Sequence, residues 1–350
     1  SWAISQNLLV GGRDTAGNDL TNETTYALMD AYLDMNLPQL RERFYAVLEG
    51  CIGRMCAAAD GASRAIGCRR VPFLSVFMGG ADSGYDMRDT VHQGTAYNGS
   101  GCLIHGLSVM ADSFVAVDRL LRERPEDAET LVGYEELHAF LRSAPKFGNA
   151  DPTADAEAAA IAARVSDMVT AHENYLGQPF RADWASPTTH LTYGYWVGAT
   201  PDGRRAREQL NYGVDPLYGE ADRGMGFRMV STLQLPFEKM DGGYASHLGI
   251  DPKFFTAPTA EGKGLDLMRR VIRPLFFGAR DPQKVAPFYL YLNVTTPETL
   301  RRVLADPRNY APSGVYIMRI HGTFVNFLDL APAVQQDIIR RLDLQSTVLC

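Results

Sequence analysis

The chain has 350 residues, 46% hydrophobic and 21% charged, which suits a folded protein with a substantial core, in one large domain or two modest ones. A formal net charge of -7, with basic residues scattered as pairs such as Arg204-Arg205 and Arg340-Arg341, argues against a nucleic-acid-binding face. No apolar stretch is long enough for a membrane span and no signal-peptide pattern opens the chain, so the expectation is a cytoplasmic protein acting on small molecules or protein partners.

Asn7 to Gly12 reads as a short strand running into a glycine turn, and Thr21-Asn22-Glu23 as the capped start of a helix through about Met35. Leu40, Phe44, Val47, Leu48, Ile52 and Met55 recur at helical spacing, as do Leu107, Met110, Phe114, Val117 and Leu121. An alanine-rich helix is predicted from about Ala154 to His172. Between Thr200 and Gly262, glycine and proline punctuate short apolar runs, and the reading there is loops and strands. Pro287 to Val294 is a β-rich run with no charge and reads as a strand buried on both faces, after which Thr296-Pro297-Glu298 opens a helix. Val315 to Ile320 and Thr323 to Leu328 are strand-like runs meeting at His321-Gly322, and Pro332 starts a final amphipathic helix with Val334, Ile338, Ile339 and Leu342 on its apolar side. Strands alternating with helices indicate an α/β architecture.

Five cysteines, Cys51, Cys56, Cys68, Cys102 and Cys350, form no CxxC pair and no ligand ladder with the seven histidines, so no metal site is expected. On a helix Cys51 and Cys56 lie about 140° apart and share no face.

Three blocks carry a family resemblance. Tyr316-Ile317-Met318-Arg319-Ile320-His321-Gly322-Thr323-Phe324-Val325-Asn326-Phe327 has the form strand, tight turn, strand, and the helix Ala333 to Arg341 follows it. Leu292 to Leu300 is a strand-to-helix segment, and Ala199-Thr200-Pro201-Asp202-Gly203-Arg204-Arg205-Ala206 a characteristic turn. With Gly11 to Glu23, Pro72 to Ser75, Tyr97-Asn98 and Ala144 to Asn149 in the same order, the chain resembles the C-terminal part of glycyl radical enzymes of the pyruvate formate-lyase type. The resemblance implies part of that family's ten-stranded α/β barrel with surrounding helices: a single shortened domain over residues 1–350, with residues 290–345 as its glycyl-radical-loop subregion.

It also implies chemistry. Gly322 matches the radical position, where a planar Cα is allowed because glycine has no Cβ; the local residues alone favour a hairpin-turn glycine, and it is the neighbouring blocks that bring the radical reading level with it. The family binds no cofactor of its own, a radical S-adenosylmethionine activase installing the radical, and its reactions are cleavage, dehydration or acyl transfer on small organic molecules. Arg204, Arg205 and Arg319 are candidate substrate contacts, since a guanidinium can hold a carboxylate or phosphate bidentately. His321 is a candidate acid or base, although it and Thr323 depart from the small and aromatic residues that flank the family's glycine. The larger departure is the family's Gly-Cys-Val loop, missing here between Asn36-Leu37-Pro38-Gln39 and the helix from Leu40; Cys102 is the candidate thiyl substitute. Three outcomes stay open: a shortened enzyme with altered or partner-dependent activity, a degenerate homologue that binds a small molecule or protein, and a split subunit completed by another chain in a homo- or hetero-oligomer.

Overall fold

In the computed structural model the described residues are 37–95, 100–123, 134–185, 189–250, 269, 272–277, 290–320 and 323–342. The predicted strand and helix before residue 37 lie outside them.

Helix α1, Leu37–Ile66, buries a row of residues spaced by four: Leu40, Phe44, Leu48, Ile52 and Cys56. Such a row is inclined to the helix axis, so the buried side drifts as the helix proceeds. That drift explains why Cys56 is inside while Met55, expected on the apolar stripe, is 46% exposed. Helix α2, Leu107–Glu123, is buried throughout its first ten residues and lies against α4, Pro152–Thr170. Ala111, Ala154, Ala158 and Ala162 are fully buried, and their small side chains let the helices approach closely. Asp151 caps α4 by accepting from the Thr153 and Ala154 amides, with Pro152 in the first turn. Between them runs α3, Tyr134–Arg142.

Strands β1, Gly101–Leu103, β2, Arg181–Trp184, and β3, Gly243–Tyr244, form a parallel sheet in chain order, and β4, Ser246–Ile250, pairs in parallel with β5, Leu290–Val294. Parallel strands joined through helices make this an α/β fold. One apolar core joins α1, α2, α4 and the first sheet; a second gathers Leu300 and Val303 of α7, Pro297–Ala305, with Met318, Phe327, Ile338 and Ile339. Its strands are β6, Ile317–Ile320, and β7, Thr323–Asn326, an antiparallel hairpin covered by α8, Pro332–Arg341.

Helix α3 was not anticipated in the sequence, and neither were two further helices. Helix α5, Thr189–Trp196, has three aromatic residues and little amphipathic pattern. Helix α6, Met225–Thr232, falls within the segment expected to hold only loops and strands. Gly224, at φ 101°, turns the chain into it, and the surrounding glycines masked its Met225-Met229-Thr232 face.

Candidate functional site

Helices α5, α6 and α8, strand β4 and the loop over residues 209–222 converge on a cavity of about 70 Å³ whose walls include His190, Tyr212, Asp215, Arg228, His247, Asp337 and Arg341. Asp215, in the loop after the Thr200 to Arg205 turn, organises one side. Its carboxylate accepts from Ser246 Oγ at 2.5 Å and from the His247 amide at 2.9 Å, and pairs with the Arg228 guanidinium at 2.6 Å. Arg228 on α6 also donates to the His247 carbonyl at 2.5 Å, so loop, helix and the start of β4 are tied together. On the other side, His190 of α5 meets Asp337 of α8 at 3.1 Å, and Arg341, one turn along α8, pairs with the same carboxylate at 2.9 Å. Burial alone would raise the Asp337 pKa, but the His190 hydrogen bond and the Arg341 charge outweigh it and hold the group below its ordinary value.

Tyr212 stands between the two sides. Its ring meets His190 and His247 edge-on, with centroids 5.3 and 4.0 Å away, and Arg341 lies over its face at 4.9 Å. The charged groups of the cavity wall are therefore largely spent on one another. Asn211 and Arg341 line the cavity, and Asn211 Oδ1 and Arg341 Nε are buried with no hydrogen-bond partner among the described residues. One acceptor and one donor suit a small polar molecule.

A second cavity, about 20 Å³, shares His247 and Arg341 with the first and is walled by Arg319 and Ile320 of β6. The hairpin pairs Ile320 with Thr323, which leaves a two-residue connection at 321–322. His321 and Gly322 themselves lie outside the described residues. Arg319, however, stands on the strand that leads into this connection and in the wall of the smaller cavity.

The structure separates the other sequence candidates. Arg204 is buried, and its guanidinium donates to the carbonyls of Val197, Gly198, Arg205 and Glu208. Its charge braces the turn from within and is not presented to a ligand. Gly203 has φ 95°, and a Cβ there would come within 2.8 Å of Arg142, so this turn is built for glycine. Arg205 is exposed and lines a surface groove that adjoins the main cavity. Cys102 lies in the first core, with its sulfur 3.6 Å from that of Cys56, and lines neither cavity. Burial pushes its thiol pKa up to about 12. The histidines and carboxylates of the main cavity were missed because the members of each pair, such as His190 and Asp337, are far apart in sequence and share no motif.

Residues 36–194 match the family model described as pyruvate formate lyase-like. The chain is a relative of the pyruvate formate-lyase-like glycyl radical enzymes. Formate acetyltransferase 1 of Escherichia coli (strain K12) is 29% identical over 247 residues, covering 70% of this chain and 31% of that protein. The glycerol-bound B12-independent glycerol dehydratase from Clostridium butyricum superposes with a TM-score of 0.76 at 25% identity, covering 89% of this chain and 39% of the dehydratase. A glycyl radical enzyme from Archaeoglobus fulgidus shares the fold with a TM-score of 0.77 at 21% identity, over 99% of this chain and 42% of its own. The chain thus spans about a third of the curated relative and about two fifths of the solved structures.

Within this pyruvate formate-lyase-like chain, α1 runs unbroken from Leu37 through Gln39 and Leu40. The junction at which the resemblance lacks its cysteine loop is therefore the first turn of a helix. Among the described residues no helix is long and apolar enough to cross a membrane.

Proposed function

We propose that the chain is a glycyl-radical-type subunit in which Gly322, at the end of the β6–β7 hairpin, carries the radical next to the His247/Arg341 cavities. The carrying observation is that Arg319 and Ile320, which lead into the 321–322 connection, wall a cavity that shares two residues with the polar cavity. When installed by a radical S-adenosylmethionine activase, the radical supplies hydrogen-atom abstraction. This chain's own part is to bind a small polar organic molecule through Asn211 and Arg341, to orient it, and to offer His190 and His247 as proton-handling groups held by their carboxylate neighbours. The reaction class is radical cleavage, dehydration or acyl transfer.

The second reading, a homologue that binds a small molecule or partner without radical chemistry, is favoured by one observation. No described cysteine lines either cavity, so the thiyl group would have to come from outside the described residues, in a shortened enzyme of altered activity or in a complex with another chain. Electron paramagnetic resonance after anaerobic incubation with an activase distinguishes the readings. The first expects a carbon-centred signal that Gly322→Ala abolishes, and backbone cleavage on exposure to oxygen that releases residues 323–350. A silent spectrum and an intact chain, with an activase proven on another family member, would establish the second.

A further inference from the structure

Cys56 and Cys102 come from different elements, α1 and β1, and their sulfurs stand 3.6 Å apart. A disulfide is about 2 Å long, so the two sulfurs are already in contact and a small adjustment from bonding. Buried cysteines ordinarily serve as small apolar residues. What distinguishes these two is their place in the core. Cys56 ends the buried row of α1, and no residue of that helix beyond it is buried. Cys102 follows the exposed Gly101 on β1, which lies at one side of its sheet, next to β2. The pair therefore sits at the margin of the first core.

An opening leads toward it. A cavity of about 410 Å³ is lined by Gly101, the residue before Cys102, and by Ala59 and Asp60, one turn beyond Cys56 on α1. Residues three and four positions on share a helix face with Cys56, so this cavity approaches both cysteines, and a local opening of the margin admits a molecule as small as a peroxide. Burial pushes both thiols up, so little thiolate is present at neutral pH and the pair oxidises slowly. The other described cysteines are placed differently. Cys51 is half-buried with its sulfur 3.0 Å from the Arg54 guanidinium, and Cys68 is exposed and donates to the Ala65 carbonyl at 3.1 Å.

We propose that Cys56 and Cys102 form a reversible disulfide that staples α1 to β1 when a peroxide is present. One thiol attacks a peroxide oxygen and becomes a sulfenic acid with release of water; the second thiol then displaces water from that sulfur as the S–S bond forms. Two thiols are oxidised, one hydrogen peroxide is reduced, and two waters leave. The pair is independent of whether a radical forms at Gly322, so it is tested on the full, unactivated chain. The reduced chain is held for hours in hydrogen peroxide at a concentration that oxidises the exposed Cys68, then unfolded in an alkylating agent, digested and mapped by mass spectrometry. The peptide linking Cys56 to Cys102 is expected to exceed every other cysteine pair by at least about tenfold, because proximity in the folded chain selects the partner, and to disappear with dithiothreitol. The same oxidation in urea is expected to scatter the pairing among the five cysteines. The urea midpoint of the oxidised chain is expected to be higher before dithiothreitol than after it, since a link between residues 46 apart restricts the unfolded chain. Cys56 and Cys102 both still alkylated when Cys68 is oxidised, either one pairing equally with another cysteine, the same pairing in urea as in the folded chain, or a midpoint that dithiothreitol does not lower would overturn the proposal.

Discussion

Around α2 the groups that meet are mostly hydrocarbon, as Phe44 against Phe114, with the buried Asp112 accepting the Phe147 amide as an exception, whereas around α8 they are carboxylates, guanidiniums and imidazoles as well as aliphatic side chains. The first kind of contact is non-directional and forgives a change of shape of similar volume. The second kind demands that a donor meet an acceptor, because each charged group taken out of water costs several kcal/mol unless it is paired. A region that accepts that cost has its geometry fixed by specific partners. Such fixing is what a binding or catalytic site requires, and it is found here where the hairpin toward residues 321–322 arrives.

The most forceful way to break this contrast is Asp215→Ala. It removes the partner of Arg228, which is buried, and the acceptor for Ser246 Oγ and the His247 amide. Removing one member of a buried pair costs about 3–5 kcal/mol. In the apolar region, Ile161→Val is expected to cost only about 0.5–1.5 kcal/mol. Urea denaturation measures both, and an Asp215→Ala loss no larger than that of Ile161→Val would show that the polar network is held mainly by its apolar surroundings.

A smaller, pH-dependent effect comes from the boundary between the regions. His105 follows β1, is buried, and places Nε2 3.1 Å from Thr189 Oγ1 at the start of α5. Burial lowers its pKa to about 4 from the ordinary 6.5. The unfolded chain then binds the proton more readily than the folded one, so this stabilisation is full above about pH 6.5 and is lost as pH falls toward 4. The shift corresponds to at most about 3.4 kcal/mol. His105→Gln should flatten stability between those two pH values while acid loss from Asp337, whose folded pKa lies below its ordinary one, persists at lower pH. An unchanged pH profile would refute the assignment to His105.

The same contrast explains what the sequence disclosed. Periodic apolar spacing announced α1, α2 and α8, alanine richness announced α4, and Thr296-Pro297-Glu298 announced α7, because each of these signals is local. The hairpin was legible from two β-rich runs around His321-Gly322. The cavity was not: Asp215, Arg228 and His247 belong to different elements, and a buried ion pair leaves no periodic trace. Arg204 and Arg205 show the limit within one motif. Adjacent and chemically identical, one is buried on carbonyls and the other exposed on the groove, a difference set by the direction in which the Gly203 turn sends each side chain.

The smallest predicted effect asks whether the two cores unfold separately. Asp151 caps α4 in the first core through the Thr153 and Ala154 amides, and Thr296 caps α7 in the second through the Thr299 amide. Replacing either by alanine should cost about 1 kcal/mol, because each removes an acceptor from helix amides that have no partner within the helix. The apolar clusters beneath these helices are distinct, while the ion pairs reach across: His190 of α5 touches Asp337 of α8. If the cores open separately, Asp151→Ala should speed amide hydrogen exchange in α4 and its neighbour α2 and leave α7 and α8 protected, with Thr296→Ala doing the reverse. If exchange instead rises evenly across all four helices in both variants, the polar network around the cavity couples the cores into one cooperative unit.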